Sequence, residues 1–309
     1  MEKILNRQYT GDEFLNAISP NGELYHLLYG RYVFRGHSSE KWVLVPSALR
    51  KDAFSDVFYD DEHRTRINSQ ASSDSEDSQI VNEIRVLRNF FEKCDKYGLQ
   101  VPEVKRLRDE IYHSIPLKLL REYEEWISPD FYELASLAQH YGIPTRLLDW
   151  SNDILISLYF AISGLKDLKE DERTDNFVIW ALDTRLADFV YHPNTPLRMI
   201  RPRYHGNPNI IAQKGLFTFW ASIKGINPET HKSDMAKVNH ESLDQLVEKS
   251  FEAENTPLMY CLKIDCNSAN ALYGYLKHHH VEAATIFPGF GGIVRSIKEN
   301  QEYIKNFNR

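Results

Sequence analysis

An α+β fold is what this sequence predicts, on three observations. Strand-like apolar runs and helical periodicities follow one another as strand, helices, strand, further strands, helix, strand and helix, without regular βαβ alternation. No GxGxxG turn and no GxxxxGK loop ending in Ser or Thr occurs, so the phosphate-binding loops of doubly wound folds are missing. Seventeen tyrosines and sixteen phenylalanines supply the bulk of a packed core, while 14 glycines and 13 prolines are too few for a disordered chain. The expectation is a mixed or antiparallel sheet with a helix-rich middle segment, as a single domain over 1–309.

The elements follow in order. Phe14, Leu15, Ile18, Leu24, Leu27 and Leu28 suggest helix from Thr10 to Leu28, interrupted at Pro20-Asn21-Gly22. Tyr32, Val33 and Phe34 in succession suit a strand buried on both faces, and Trp42 to Val45 is a second short strand that would pair with it as a hairpin. Residues 60–79 hold almost no apolar side chain, so burial cannot offset their ordering entropy and a mobile loop is expected. Helical spacing resumes over Ile80 to Tyr97, Val101 to Tyr112, Leu117 to Trp126 and Phe131 to His140, with Gly142 and Pro144 as stops. Ser151 or Asn152 is positioned to cap the apolar helix Ile154 to Leu165. Asn176 to Leu182 reads as a core strand, Ile210 to Trp220 as a strand pair bent at Gly215, and 225–257 as an insertion or peripheral subdomain with a helix from His240 to Phe251. Strand Leu258 to Ile264, helix Asn267 to Lys277, strand Ala283 to Phe287 and helix Gly292 to Lys305 close the chain.

Thirty-seven basic against forty-four acidic side chains give a net charge of −7, which disfavours coating nucleic acid by bulk electrostatics but leaves room for a local basic groove. Cys94, Cys261 and Cys266 form no CxxC pair and no disulfide framework, which points to a reducing, cytoplasmic setting. No run approaches the ~18 apolar residues of a membrane span, and no membrane partner is expected. His278-His279-His280 is a solvated helix end, since consecutive helical side chains diverge, and no metal is expected.

Chemistry concentrates in two places. Arg35 sits in an aromatic strand beside Gly36, which permits close approach of a ligand or of another backbone; the bland reading is a buried arginine bridging to Asp149. Gln139 to Trp150 packs His140, Tyr141, Arg146 and Asp149 into one loop between helices. His140 has a side chain suited to act as acid, base or neutral donor, whereas Arg146 is either a ligand contact or a salt-bridge partner of Asp149. Arg198, Arg201, Arg203 and His205 form the densest basic segment, either a phosphate site or a solvated loop.

Phe34-Arg35-Gly36-His37 with Trp42 and Pro46-Ser47, then Gln139-His140-Tyr141-Gly142-Ile143-Pro144-Thr145-Arg146-Leu147-Leu148-Asp149-Trp150, then Gln213-Lys214-Gly215-Leu216-Phe217, and finally Ile286-Phe287-Pro288 together resemble the FRG domain family over roughly residues 30–295. A more distant similarity links the first motif to the Arg-Ser-Glu class of ADP-ribosyltransferases, and it implies a fold of that kind. On that similarity Arg35 grips a phosphate of NAD, Gln213 to Phe219 shapes the nicotinamide pocket, and Glu282 is the late carboxylate. Two departures stand out: the middle segment offers Thr218 in place of a Ser-Thr-Ser triplet, and Val281-Glu282-Ala283 carries one carboxylate in place of a pair. With His140 added on its own acid–base chemistry, the candidate catalytic set is Arg35, His140 and Glu282. The implied NAD-binding set is Arg35, Gly36, His37, Tyr141, Arg146, Gln213 and Phe217. The implied activity is transfer of ADP-ribose from NAD to a macromolecular acceptor, or hydrolysis of NAD, in a bacterial toxin or anti-phage effector. The alternatives are a non-catalytic module holding a nucleotide or nucleic acid, and a metal-independent nuclease using His140 and His37.

Overall fold

The computed structural model describes residues 2–57, 76–109, 126–204, 207–221 and 238–307. A seven-stranded sheet organises them: β1 (Ile4–Tyr9), β2 (Tyr32–His37), β3 (Leu148–Ser151), β4 (Asn176–Asp183), β5 (Leu197–Ile200), β6 (Gly215–Trp220) and β7 (Met259–Asp265), in the order β1-β7-β4-β2-β3-β6-β5. Only β1 and β7 run parallel; every other neighbour is antiparallel, so the α+β expectation holds.

The joint between β2 and β3 is unlike the others. Along its other edge β2 pairs with β4 at all six residues, from Tyr32 opposite Asp183 to His37 opposite Val178. Toward β3 it pairs at a single position, Phe34 opposite Ser151, whereas β3 pairs with β6 at four. The strands therefore splay apart past Phe34, and the sheet is a four-strand part and a three-strand part joined at one point.

Three apolar cores clamp this sheet. On one face Tyr32 and Phe34 of β2, Phe177 and Ile179 of β4 and Tyr260 and Leu262 of β7 pack with helices α1 (Gly11–Ile18) and α5 (Ile154–Ser163). Asp153, rather than Ser151 or Asn152, caps α5 by accepting from the Leu155 amide at 2.9 Å. On the opposite face Val33, Leu182, Trp150 and Leu216 pack with Leu243 and Val247 of α7 (Leu243–Ser250). A third core joins Phe217 and Phe219 of β6 to the helix-rich middle, α2 (Glu76–Lys96), α3 (Lys105–Asp109) and α4 (Tyr132–His140). Each fully buried aromatic or aliphatic side chain contributes roughly 1.5–3 kcal/mol.

Several expected elements differ. Trp42 to Val45 forms no strand, because the Leu44 carbonyl accepts from the Leu243 amide at 3.0 Å and so ties this segment to α7. Residues 210–220 are not a strand pair. Pro208 and the side chain of Asn207, which accepts from the Ile210 amide, start helix α6 (Pro208–Gln213), and Lys214 ends it at φ 48° before β6 begins. Ala283–Ile286 is a short helix, α9, whose amides at Ile286 and Phe287 bond four residues back to Glu282 and Ala283. It leads into α10 (Phe290–Phe307). Of the expected loop at 60–79, residues 76–79 begin α2 and the rest lie outside the described residues, as do the expected helix before Trp126 and most of the first half of 225–257. The helix expected from Asn267 is α8 (Ala269–His278). Among the described residues no helix is long and apolar enough to cross a membrane, and no group of three or more His, Cys, Asp or Glu could hold a metal ion.

Candidate functional site at the splayed strands

Strand alternation divides the β2 side chains between two faces. Phe34 and Gly36 face α5, and a Cβ added at Gly36 would lie 2.0 Å from the Ser157 carbonyl oxygen. The glycine thus admits another backbone, that of α5. Arg35 and His37 alternate to the other side of the strand, and both Arg35 and Gly36 line the cleft at the splay.

Arg35 is fixed by two partners. Its Nε donates to His37 Nε2 at 3.0 Å, and its Nη1 donates to the Asp149 carbonyl at 2.9 Å and to the Asp149 carboxylate. Since His37 Nε2 accepts, the proton of the neutral ring sits on Nδ1, which donates to the Trp42 carbonyl at 3.2 Å. Burial, and then the charge of Arg35, push the His37 pKa down to about 3, so the ring stays neutral. Among the described residues Nη2 of Arg35 has no hydrogen-bond partner, and the side chain is 15% exposed.

Asp149 also accepts from Gln139 Nε2 at 3.3 Å, and Gln139 in turn accepts from the Thr145 hydroxyl. Its side chain remains 59% exposed, open to the cleft. Desolvation raises its pKa, but the charge and hydrogen bond of Arg35 outweigh this and hold the carboxyl below its ordinary range. His140, the last residue of α4, is half-buried, and that burial lowers its pKa, keeping the imidazole neutral at pH 7. Gly142, at φ 87°, lets the chain leave α4 toward β3.

Around these groups the splay widens into a cleft of about 570 Å³, a size suited to a small organic ligand. Its apolar wall holds Phe160, Phe217 and Phe287, and its polar wall adds Arg50, Gln139 and Gln213. Gln213 Nε2 donates to the Ile286 carbonyl at 3.4 Å, and its own carbonyl accepts from Ser151 Oγ at 2.8 Å. Arg295 of α10 also lines the cleft, bonded through Nε to buried Glu299 at 2.8 Å and lying 4.7 Å over the Phe287 ring.

Of the candidate catalytic and NAD-binding residues, Arg35, Gly36, His140, Gln213 and Phe217 line this one cleft. The others do not. His37 stands behind Arg35, 3% exposed. Tyr141 points outward, 66% exposed, with its ring 5.1 Å from His140. Arg146 is 3% exposed and held by the carboxylates of Glu76 and Glu83 on α2, with Trp126 Nε1 donating to Glu83, so it meets neither Asp149 nor a ligand in the cleft. Glu282 is bound to the Ser296 hydroxyl on α10, outside the cleft. Arg198, Arg201 and Arg203 are not among the lining residues, and His205 lies outside the described residues. Asp149, which in the sequence is either a salt-bridge partner or, with Arg146, a ligand contact, is the one carboxylate lining the cleft among the described residues, and nothing in the sequence marks Arg50 or Arg295. No periodicity marks such residues; the polarity of the Gln139–Trp150 stretch was the available signal for Asp149.

A mixed α+β sheet opened at one joint, with a guanidinium–carboxylate pair in the opening, defines the class of protein structurally. The FRG domain family model matches residues 30–171, supporting that family resemblance over the stretch that carries Arg35, Arg50, Gln139, His140 and Asp149. No curated protein and no solved structure matches the chain.

Proposed function

We propose that the cleft binds NAD and acts on its nicotinamide–ribose bond, as an ADP-ribosyltransferase-like enzyme or an NAD glycohydrolase. The observation that carries this reading is the Arg35–Asp149 pair. A guanidinium with unspent donors suits a phosphate, and the only lining carboxylate among the described residues stands on it. Asp149 takes the part that the more distant similarity to ADP-ribosyltransferases suggested for Glu282. In this reading Arg35 holds a phosphate while Asp149 stabilises the positive charge that grows on the ribose as the glycosidic bond breaks. The bonding electron pair leaves with neutral nicotinamide. An acceptor nucleophile or water then bonds to the anomeric carbon and yields its proton to neutral His140. Such an activity suits a bacterial toxin or anti-phage effector acting in the cytoplasm on a macromolecular acceptor.

The test is release of nicotinamide from NAD by purified protein. Release that falls to background in Arg35→Ala and in Asp149→Asn, with the circular dichroism spectrum intact, is the expected outcome; absence of release from the wild type across a range of acceptors overturns the reading. A second reading, a nucleotide-holding module without chemistry, draws on the engagement of Asp149 by Arg35. It predicts NAD binding that Arg35→Ala removes, with no release.

A further inference from the structure

The polar lining of the cleft does not balance its own charge. Among the described residues it presents the guanidinium groups of Arg35, Arg50 and Arg295 and a single carboxylate, Asp149. Arg295 is answered by Glu299 behind it, at 2.8 Å, and Arg35 by Asp149. Arg50 has no such answer: its Nε donates to the Val45 carbonyl at 3.0 Å, and no carboxylate pairs with it among the described residues. The residue caps the short turn Ser47–Leu49 through its backbone amide and lines the cleft. Burial, and then the charge of Arg35, lower the pKa of Arg50, while Asp149 partly offsets them, so the three groups share one electrostatic neighbourhood.

Two guanidiniums facing one carboxylate leave one unit of positive charge for a ligand to neutralise. Arg35 contributes Nη2, and Arg50 contributes both Nη groups, since its Nε is spent on Val45. We propose that Arg50 is a binding residue and forms with Arg35 a two-arginine clamp for a diphosphate, one guanidinium on each phosphate. This rests on, and deepens, the reading of the cleft as a nucleotide site, because it names the diphosphate as the recognised group and a residue outside the Phe-Arg-Gly motif as its second holder.

Titration calorimetry with inorganic pyrophosphate and with ADP-ribose reads this directly. Arg50→Ala is expected to weaken both about ten- to a hundredfold, the range of one charge-assisted contact. Arg50→Lys should recover part of the loss, because it keeps the charge without the fork. Arg50→Gln provides a variant that retains a donor for Val45, so a fall in affinity at unchanged melting temperature separates ligand contact from folding. Affinity for both probes within twofold of wild type in Arg50→Ala and Arg50→Gln overturns the clamp. The two readings part cleanly. Probe binding that needs both arginines, in a protein that releases no nicotinamide, leaves the clamp standing and removes the glycosidic chemistry. Nicotinamide release with an unchanged KM for NAD in Arg50→Gln does the reverse.

Discussion

His37 shows how one neutral side chain specifies the orientation of a charged one. Its ring gives Arg35 Nε an acceptor because its proton is committed to the Trp42 carbonyl, and protonation would turn that acceptor into a second donor facing a guanidinium. In the folded protein His37 takes up a proton only near pH 3, against about 6.5 in an unfolded chain, so unfolding binds a proton between those values and acid favours the unfolded state. Urea unfolding at pH 7, 5.5 and 4 should show stability falling by up to about 1.4 kcal/mol per pH unit from this residue, and His37→Gln should flatten that slope by one proton. An unchanged slope would remove His37 as its source. Arg35 was legible because an arginine in an apolar strand needs a partner, and Asp149 was among those weighed. The orientation of His37 and Tyr141 was not, since adjacent letters on a strand or at a helix end say nothing of which side chain turns inward. Arg146 was misassigned because its true partners, Glu76 and Glu83, lie 70 and 63 residues away, on α2.

Between elements, β2 and α5 meet backbone to backbone at Gly36. Gly36 lets the helix backbone come within reach of the strand, and a methyl group there meets the Ser157 oxygen and the Ala161 nitrogen at 2.0 and 2.8 Å. Gly36→Ala must push α5 away, and overpacking of this kind costs about 1–3 kcal/mol. The midpoint of urea unfolding should drop accordingly while Gly164→Ala, which meets only the side chain of Ser38 at its closest point, loses less. Equal losses in the two variants would show that the α5 backbone yields freely. Strands β2, β4 and β7 could be read from their apolar runs because they are central and buried on both faces. Strands β1 and β5 lie at the sheet edges and β3 spans four residues of a polar stretch, so none carries a run long enough to register. Ala283 to Phe287 reads as strand in the sequence, although 283–286 are helical, because a few apolar or β-branched letters hold no period.

At the scale of the whole molecule, an overall charge of −7 surrounds a cleft whose lining is cationic, so the site depends on local placement of arginines and not on bulk attraction. A ligand held there touches both parts of the sheet, since Arg35 comes from the four-strand part and Asp149 and Phe217 from the three-strand part. ADP-ribose at a hundred times its dissociation constant should stabilise the fold by about 2.7 kcal/mol, read as a rise in melting temperature that Arg35→Ala abolishes. Absence of the rise in wild-type protein would mean that this ligand does not bind the folded state. The single pairing of Phe34 with Ser151 has a mechanical consequence as well. A sheet normally transmits force through its ladder of amides, but across this joint the ladder has one rung, and the Arg35–Asp149 bridge adds a side-chain link beside it. A diphosphate taken by the unspent Nη2 of Arg35 would load the same guanidinium that bridges the joint through Nη1, so occupancy of the site and the coupling of the two sheet parts would meet at one side chain.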